Sequence, residues 1–357
     1  MQPIPHGART ERHDTWQPEP GIDLTDGRSL HQLLFTDGDL SYPRSWCSGA
    51  TGIVIHDVLE AIETRIECAG SGDVVRVVDY GAGTGLAAIE LSKACAAHNV
   101  AQRLAARSAA FELHVVDIPT SWFAQGFELL REVPWTRFHA LHANGRFRPL
   151  LEITDGEQAD AVMANMVFHL LTASAMRHAA ISIADVLRPG GLLTFSAPDL
   201  GPTAPDTALF HDSNRLLRQH WLAALDAPDP EILAPVLRNA RAAVPSAVRA
   251  GAQRRADKRI LPVPQTVESV HSALFPYFDG AIQRRPYELL AGEILMTALV
   301  PANQTEYLAE ISDKSVREAV IHHLMLDHVL PNLMKGPAGT GLGLNIDWAL
   351  GRYRRFR

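Results

Sequence analysis

Residues Val74–Leu91, VVRVVDYGAGTGLAAIEL, decide the fold. Val74, Val75, Val77 and Val78 form a short β-branched run of the kind a strand buried on both faces carries, and Asp79 ends it. Gly81, Gly83 and Gly85 follow at every second position, and Leu86 opens an apolar-periodic helix. Such a turn needs residues that tolerate positive φ and place no side chain between backbone and ligand. The helix that follows points unpaired N–H groups at whatever lies over the glycines. A dinucleotide fingerprint counted from Gly81 would need its third glycine where Leu86 stands, and a Walker A loop would need Gly-Lys-Ser/Thr; both are excluded.

The stretch Asp79-Tyr80-Gly81-Ala82-Gly83-Thr84-Gly85 resembles the first motif of the class I S-adenosylmethionine (SAM) methyltransferases. Later segments extend the resemblance in order. Phe111–Asp117 reads as a second strand ending in an acid, followed by Ile118 and Pro119; an acid there can accept both ribose hydroxyls of a nucleoside, or cap a helix. Phe138–Asn144 reads as a third strand. Asn144-Gly145 stands where the family often has Asp; Asn144 can read an adenine edge or serve as a turn residue. Asp160–Leu171, DAVMANMVFHLL, resembles the family's fourth-strand stretch, which implies that Asn165 lies beside the cofactor and His169 near the transferred methyl. A helix over 172–187, the Arg188-Pro189-Gly190-Gly191 break and a fifth strand over 192–197 complete the pattern.

The resemblance implies an α/β, doubly wound Rossmann-like sheet binding SAM. Its cofactor residues would be Asp79, Tyr80, Gly81, Gly83, Gly85, Asp117, Ile118, Asn144, Gly145 and Asn165. The front section, with a helix over 51–66, resembles the N-terminal cap that many small-molecule methyltransferases lay over the cofactor; Tyr42 would join the cofactor site there, or with Trp46 belong to the core. Residues 1–20 carry four prolines and read as a loose arm. The expected organisation is an arm and cap over 1–66, a SAM-binding core over 67–202 and a helical lid insertion over 203–257. The end of the core, 258–357, would hold a second helical insertion over about 287–335 and a last strand over 345–353.

The 357 residues are 46% hydrophobic and 20% charged, ordinary for a globular chain with ample core. A net charge of −7 gives no general attraction to nucleic acid or anionic membrane. The arginine-rich end, Arg352–Arg357, reads as a solvated edge. The three cysteines form no CxxC pair, no apolar run reaches membrane-spanning length, and the polar N-terminus lacks a signal-peptide core. A cytoplasmic enzyme with a small-molecule acceptor is expected, compatible with a homodimer.

Histidine titrates near neutrality, which makes His169 the candidate catalytic base; a buried structural role is the alternative. Among the sixteen histidines, His271, His322 and His323 fall in helices expected over the acceptor, where they could hold a divalent metal. Neighbouring residues on a helix point about 100° apart, so His322 and His323 would share one ion awkwardly. Such a metal would bind a 2-oxo acid and stabilise its enolate during C-methylation, in outline similar to 2-oxo acid C-methyltransferases. Two other readings stay open. One is metal-free O-, N- or C-methylation of an aromatic or amine acceptor; the other is a SAM-binding protein without transferase activity.

Overall fold

The computed structural model describes residues 16–25, 27–28, 47–143, 145–201, 204–256, 265–300, 304–305 and 307–357. Tyr42, Trp46 and Asn144 lie outside the described residues, as does most of the arm. Seven strands form one sheet: β1 Val74–Tyr80, β2 Ala110–Asp117, β3 Thr136–Ala140, β4 Ala159–Asn165, β5 Leu187–Pro198, β6 Phe278–Leu290 and β7 Gly343–Arg355. Their order is β3-β2-β1-β4-β5-β7-β6. The first five pair in parallel, and β7 runs antiparallel to both neighbours. The chain order reverses between β1 and β4, and in such sheets the crevice at the carboxyl ends of the strands takes the ligand.

The strands read as buried runs because both faces are covered. On one face Val75, Val77, Leu113, Ala161 and Met163 pack with α1 (Gly52–Cys68), α2 (Leu86–Ala97), α3 (Val100–Ala105) and α4 (Ser121–Leu130). On the other, Val78, Val116, Val162, Ala164 and Phe195 meet Met176, Ala180 and Ile183 of α6 (Ala173–Val186), which follows the single-turn α5 (Leu150–Ile153). The same cluster takes in Val270 and Leu274 from the helix over Val267–Leu274.

The expected cap helix is thus a core helix. Val54, Val58 and Ile62 of α1 are fully buried against the sheet, and none of its residues lines the crevice. The arm is pinned at Trp16, which stacks on Phe123 at 4.5 Å and donates its N–H to the Phe138 carbonyl.

A third cluster builds a helical layer at the carboxyl end of the sheet. Leu217, Trp221 and Leu225 of the helix Asp212–Asp226 join Ile294 of the helix Ala291–Ala298 and Ile321 and Leu324 of Lys314–Leu324. They pack on Leu289, Leu344, Ile346 and Trp348, where β6 and β7 outrun the other strands.

Two strand bounds correct the sequence reading. The third strand ends at Ala140 rather than 144, because its partner β2 ends at Asp117, the residue paired with Ala140. The chain then makes a hairpin, His142–Ala143 against Arg146–Phe147. Residues 287–290, expected to be helical, continue β6: Tyr287 pairs with Ile346 and Leu290 with Gly343. Their partner lies more than fifty residues downstream, where no local periodicity can register it.

Candidate functional site

The glycine turn is held by the neighbouring strand. Gly81 and Ala82 donate their N–H groups to the Val116 carbonyl at 2.8 and 3.2 Å, and Gly85 donates to Ala82 at 2.8 Å. All three glycines have positive φ. Gly83 (φ 55°) has no atom within 4 Å of where a Cβ would stand, so its backbone faces open cleft. A Cβ on Gly81 would meet Val167, and one on Gly85 would meet Leu130 and the Cα of Gly126.

Two carboxylates meet at this turn. Asp117 accepts N–H bonds from Gly83 at 2.5 Å and Ile118 at 2.6 Å. Burial nevertheless pushes its carboxyl up to about 6. Asp79, 1% exposed, is pushed up to about 8, first by burial and then by the charge of Asp117. Its Oδ2 has no hydrogen-bond partner. A buried carboxylate oxygen left unsatisfied at the floor of a cleft fits a ligand that brings a cation or a donor.

The cleft is about 1360 Å³. Asp79, Tyr80, Gly81, Gly83, Asp117 and Ile118 line one side, beside the apolar walls of Trp122, Leu141 and Phe147. Asn165 lines it from the end of β4; its Oδ1 accepts from Ser196 Oγ at 2.6 Å and, more weakly, Thr51 Oγ1 at 3.2 Å. Gly85 supports the turn from behind, and Gly145 (φ 77°) turns the hairpin that presents Phe147. The helical layer contributes Phe210, His211, Met296 and Thr297 to the opposite wall.

His169 stands in a single 3₁₀ turn, Phe168–Leu170, between β4 and α6, whose N-cap is Thr172. It lines the cleft at 8% exposure, and its Nδ1 has no hydrogen-bond partner. Burial, reinforced by His211, holds its pKa well below the ordinary histidine value. The ring of His211 lies nearly parallel to it, centroids 6.0 Å apart. Burial and the charge of Arg215 push His211 down to about 4. Nε2 of His211 is 3.5 Å from Oδ2 of Asp199, and the same oxygen accepts the His211 N–H at 2.9 Å. Burial raises the Asp199 carboxyl to about 7, and its φ of 63° is a strained conformation for a non-glycine residue. The result is a neutral imidazole on the cleft backed by a second imidazole and an acid.

Sequence reasoning missed His211 and Asp199. The available signal was weak: an Asp straight after the fifth strand in Ser196-Ala197-Pro198-Asp199, and a Phe-His-Asp stretch opening a helix.

The metal set is not assembled. Nδ1 of His271 is 2.7 Å from Tyr353 Oη. Nδ1 of His323 is 2.5 Å from Asp327 Oδ2, and His322 is exposed. His271 sits on a helix packed on the sheet, whereas His322 and His323 belong to the helical layer, and none of the three lines the cleft. Among the described residues the one metal-capable group is His56, Asp57 and Glu60. There Arg352 binds Asp57 at 2.9 Å and Glu60 at 2.7 Å, so the carboxylates already have a cation.

No helix among the described residues is long and apolar enough to cross a membrane. No protein-family model matches the sequence, and no curated protein matches it. Solved structures do resemble it. A loganic acid methyltransferase with SAH is 13% identical over 91% of this chain and 99% of that one, with a TM-score of 0.54. The Haemonchus contortus phosphoethanolamine N-methyltransferase 2 in complex with S-adenosyl-L-methionine is 14% identical with a TM-score of 0.42; the match covers 94% of this chain and 58% of that one. Strand order, the antiparallel β7 and the first of these likenesses agree: the chain has a doubly wound Rossmann-like fold, shared with the loganic acid methyltransferase.

Proposed function

We propose that the protein is a SAM-dependent methyltransferase of a small molecule, with His169 as the group that takes the acceptor's proton. One observation carries this reading. The glycine turn with its two buried carboxylates, and the neighbouring His169 and His211, face a single cleft of about 1360 Å³. That exceeds the roughly 300–1,000 Å³ of a one-ligand pocket and suits a cofactor together with an acceptor. The bound cofactor supplies an electrophilic methyl on a sulfonium. The Gly83 backbone leaves room for close approach, while Asp79 and Asp117 offer acceptors to a cation and to hydroxyls. The apolar walls of Trp122, Leu141 and Phe147 suit a flat ring, and Asn165 borders the methyl end.

His169 is kept neutral by burial, the state in which an imidazole accepts a proton. Asp199 stands behind His211, its Oδ2 3.5 Å from Nε2. The metal-assisted 2-oxo acid reading loses its support, because His271 lies on the sheet-packed helix while His322 and His323 lie in the helical layer, all away from the cleft. The neutral base in the cleft speaks against a binding protein without catalysis.

Calorimetry against S-adenosylhomocysteine (SAH) tests the cofactor assignment. Micromolar affinity, about −8 kcal/mol, is expected. His169→Asn should leave that affinity within about twofold while cutting methyl transfer to a panel of hydroxyl and amine acceptors by about 10²–10⁴. Undiminished transfer in the variant would remove His169 from the mechanism.

A further inference from the structure

We propose that the acceptor is an uncharged, largely apolar hydroxyl compound, and that the cleft rejects carboxylate- and phosphate-bearing acceptors. The inference rests on the methyltransferase reading and adds the class of substrate. Among the described residues lining the cleft there is no lysine and one arginine, Arg148. Arg148 is committed elsewhere: it bonds Glu152 Oε1 at 3.2 Å and follows Phe147 of the hairpin. Four acidic side chains line the same cleft, Asp79, Asp117, Asp185 and Glu293, of which Asp79, pushed up to about 8, holds a proton at neutral pH. Phe210, Met296 and Val300 supply apolar surface to the lining.

An anionic acceptor desolvated here would meet no buried, uncommitted countercharge among the described residues. Burying an unpaired anion is costly, and a neighbouring like charge adds to the cost. Of the three histidines lining the cleft, His169 and His211 give no cation, since burial keeps both neutral, and His178 is exposed to solvent rather than buried beside an acceptor. A neutral O–H avoids these costs. It can donate to His169, and its apolar body gains from contact with the helical wall. In the transfer the acceptor oxygen bonds to the methyl carbon and the methyl–sulfur bond breaks, leaving its electron pair on sulfur. The O–H proton passes to His169 and then to solvent. No other co-reactant is required.

Three probes of one shape separate the classes: 2-naphthol, 2-naphthoate and 2-naphthyl phosphate. Each is titrated into the full chain saturated with SAH, with binding read by calorimetry and by probe fluorescence. The expected result is 2-naphthol binding at least about tenfold tighter than either anion. Glu293→Gln removes one lining charge. Gln also supports the N-terminal capping that Glu293 gives Leu290, so the fold is preserved. This variant should tighten 2-naphthoate several-fold and leave 2-naphthol nearly unchanged. Equal or tighter binding of either anion overturns the inference, as does binding of none of the three at millimolar concentration. Absence of SAH binding in the first step is a distinct result, which removes the methyltransferase reading itself.

Discussion

The three glycines of the turn look alike in sequence, and the structure separates their roles by what an added methyl would touch. At Gly83 a Cβ meets nothing within 4 Å, so Gly83→Ala carries no steric penalty from the protein. Its φ of 55° costs an L-residue about 1–2 kcal/mol, partly offset by about 0.4–1 kcal/mol from a less flexible unfolded chain. The net loss should be about 1 kcal/mol. In the proposed cofactor site the new methyl would stand where the ligand approaches the backbone, and losing one hydrogen bond to a charged ligand is worth about 1.5–3 kcal/mol. SAH affinity should therefore fall about 10–100-fold in a protein that remains folded.

Gly81→Ala reverses the balance. Its Cβ would lie 2.5 Å from Cγ2 of buried Val167, and overpacking of this kind adds about 1–3 kcal/mol to the backbone strain. Gly85→Ala meets Leu130 at 3.1 Å and the Cα of Gly126 at 3.2 Å, a neighbour whose backbone cannot swing aside. Urea unfolding ranks the three stabilities, and calorimetry with SAH ranks the affinities. The reasoning fails if folded Gly83→Ala binds SAH within about twofold of the parent, or if Gly81→Ala is the more stable of the two.

Other outcomes follow from the charges. Asp79 is raised in the folded protein from 3.8 to about 8, so between those values the folded state holds a proton that the unfolded chain has released. Its contribution to stability is present at acid pH and lost as pH rises toward 8. His169 and His211, both depressed, act in the opposite sense below about 6.5, so the Asp79 effect is read as the difference between parent and Asp79→Asn unfolding curves at pH 5 and pH 8, and identical slopes would refute it. A bound sulfonium favours ionised Asp79, hence SAH and SAM should differ in proton release at pH 7, measured by calorimetry in buffers of different ionisation enthalpy. Arg218 binds Glu310 through both nitrogens at 2.6 and 2.8 Å inside the helical layer, so Arg218→Met should destabilise by about 3–5 kcal/mol, while a change under 1 kcal/mol would mean that Glu310 simply takes up a proton. Methyl transfer should persist in excess EDTA, and loss restored by zinc or magnesium would reinstate a metal.

What the sequence determined by itself lies where neighbours in the chain are also neighbours in space. Val74–Leu91 could be read as strand, turn and helix because its β-branched run, its glycines and its helical periodicity are local properties. The acid ending β2 was legible for the same reason, whereas the Asn165–His169 stretch was legible only through its family resemblance. Tertiary structure alone decided what depends on a distant partner. Residues 287–290 are strand because Gly343–Ile346 pair with them, despite a helical-looking pattern. The helix Gly52–Cys68 is core because the sheet face receives Val54, Val58 and Ile62. His271, His322 and His323 share a residue type, but packing sends them to different layers, and ligation depends on position. His211 reaches His169 across forty-two positions because the chain leaving β5 turns back at Asp199 and opens a helix over the crevice. Burial then sets the protonation of both rings, and burial is a property of the assembled fold rather than of any segment.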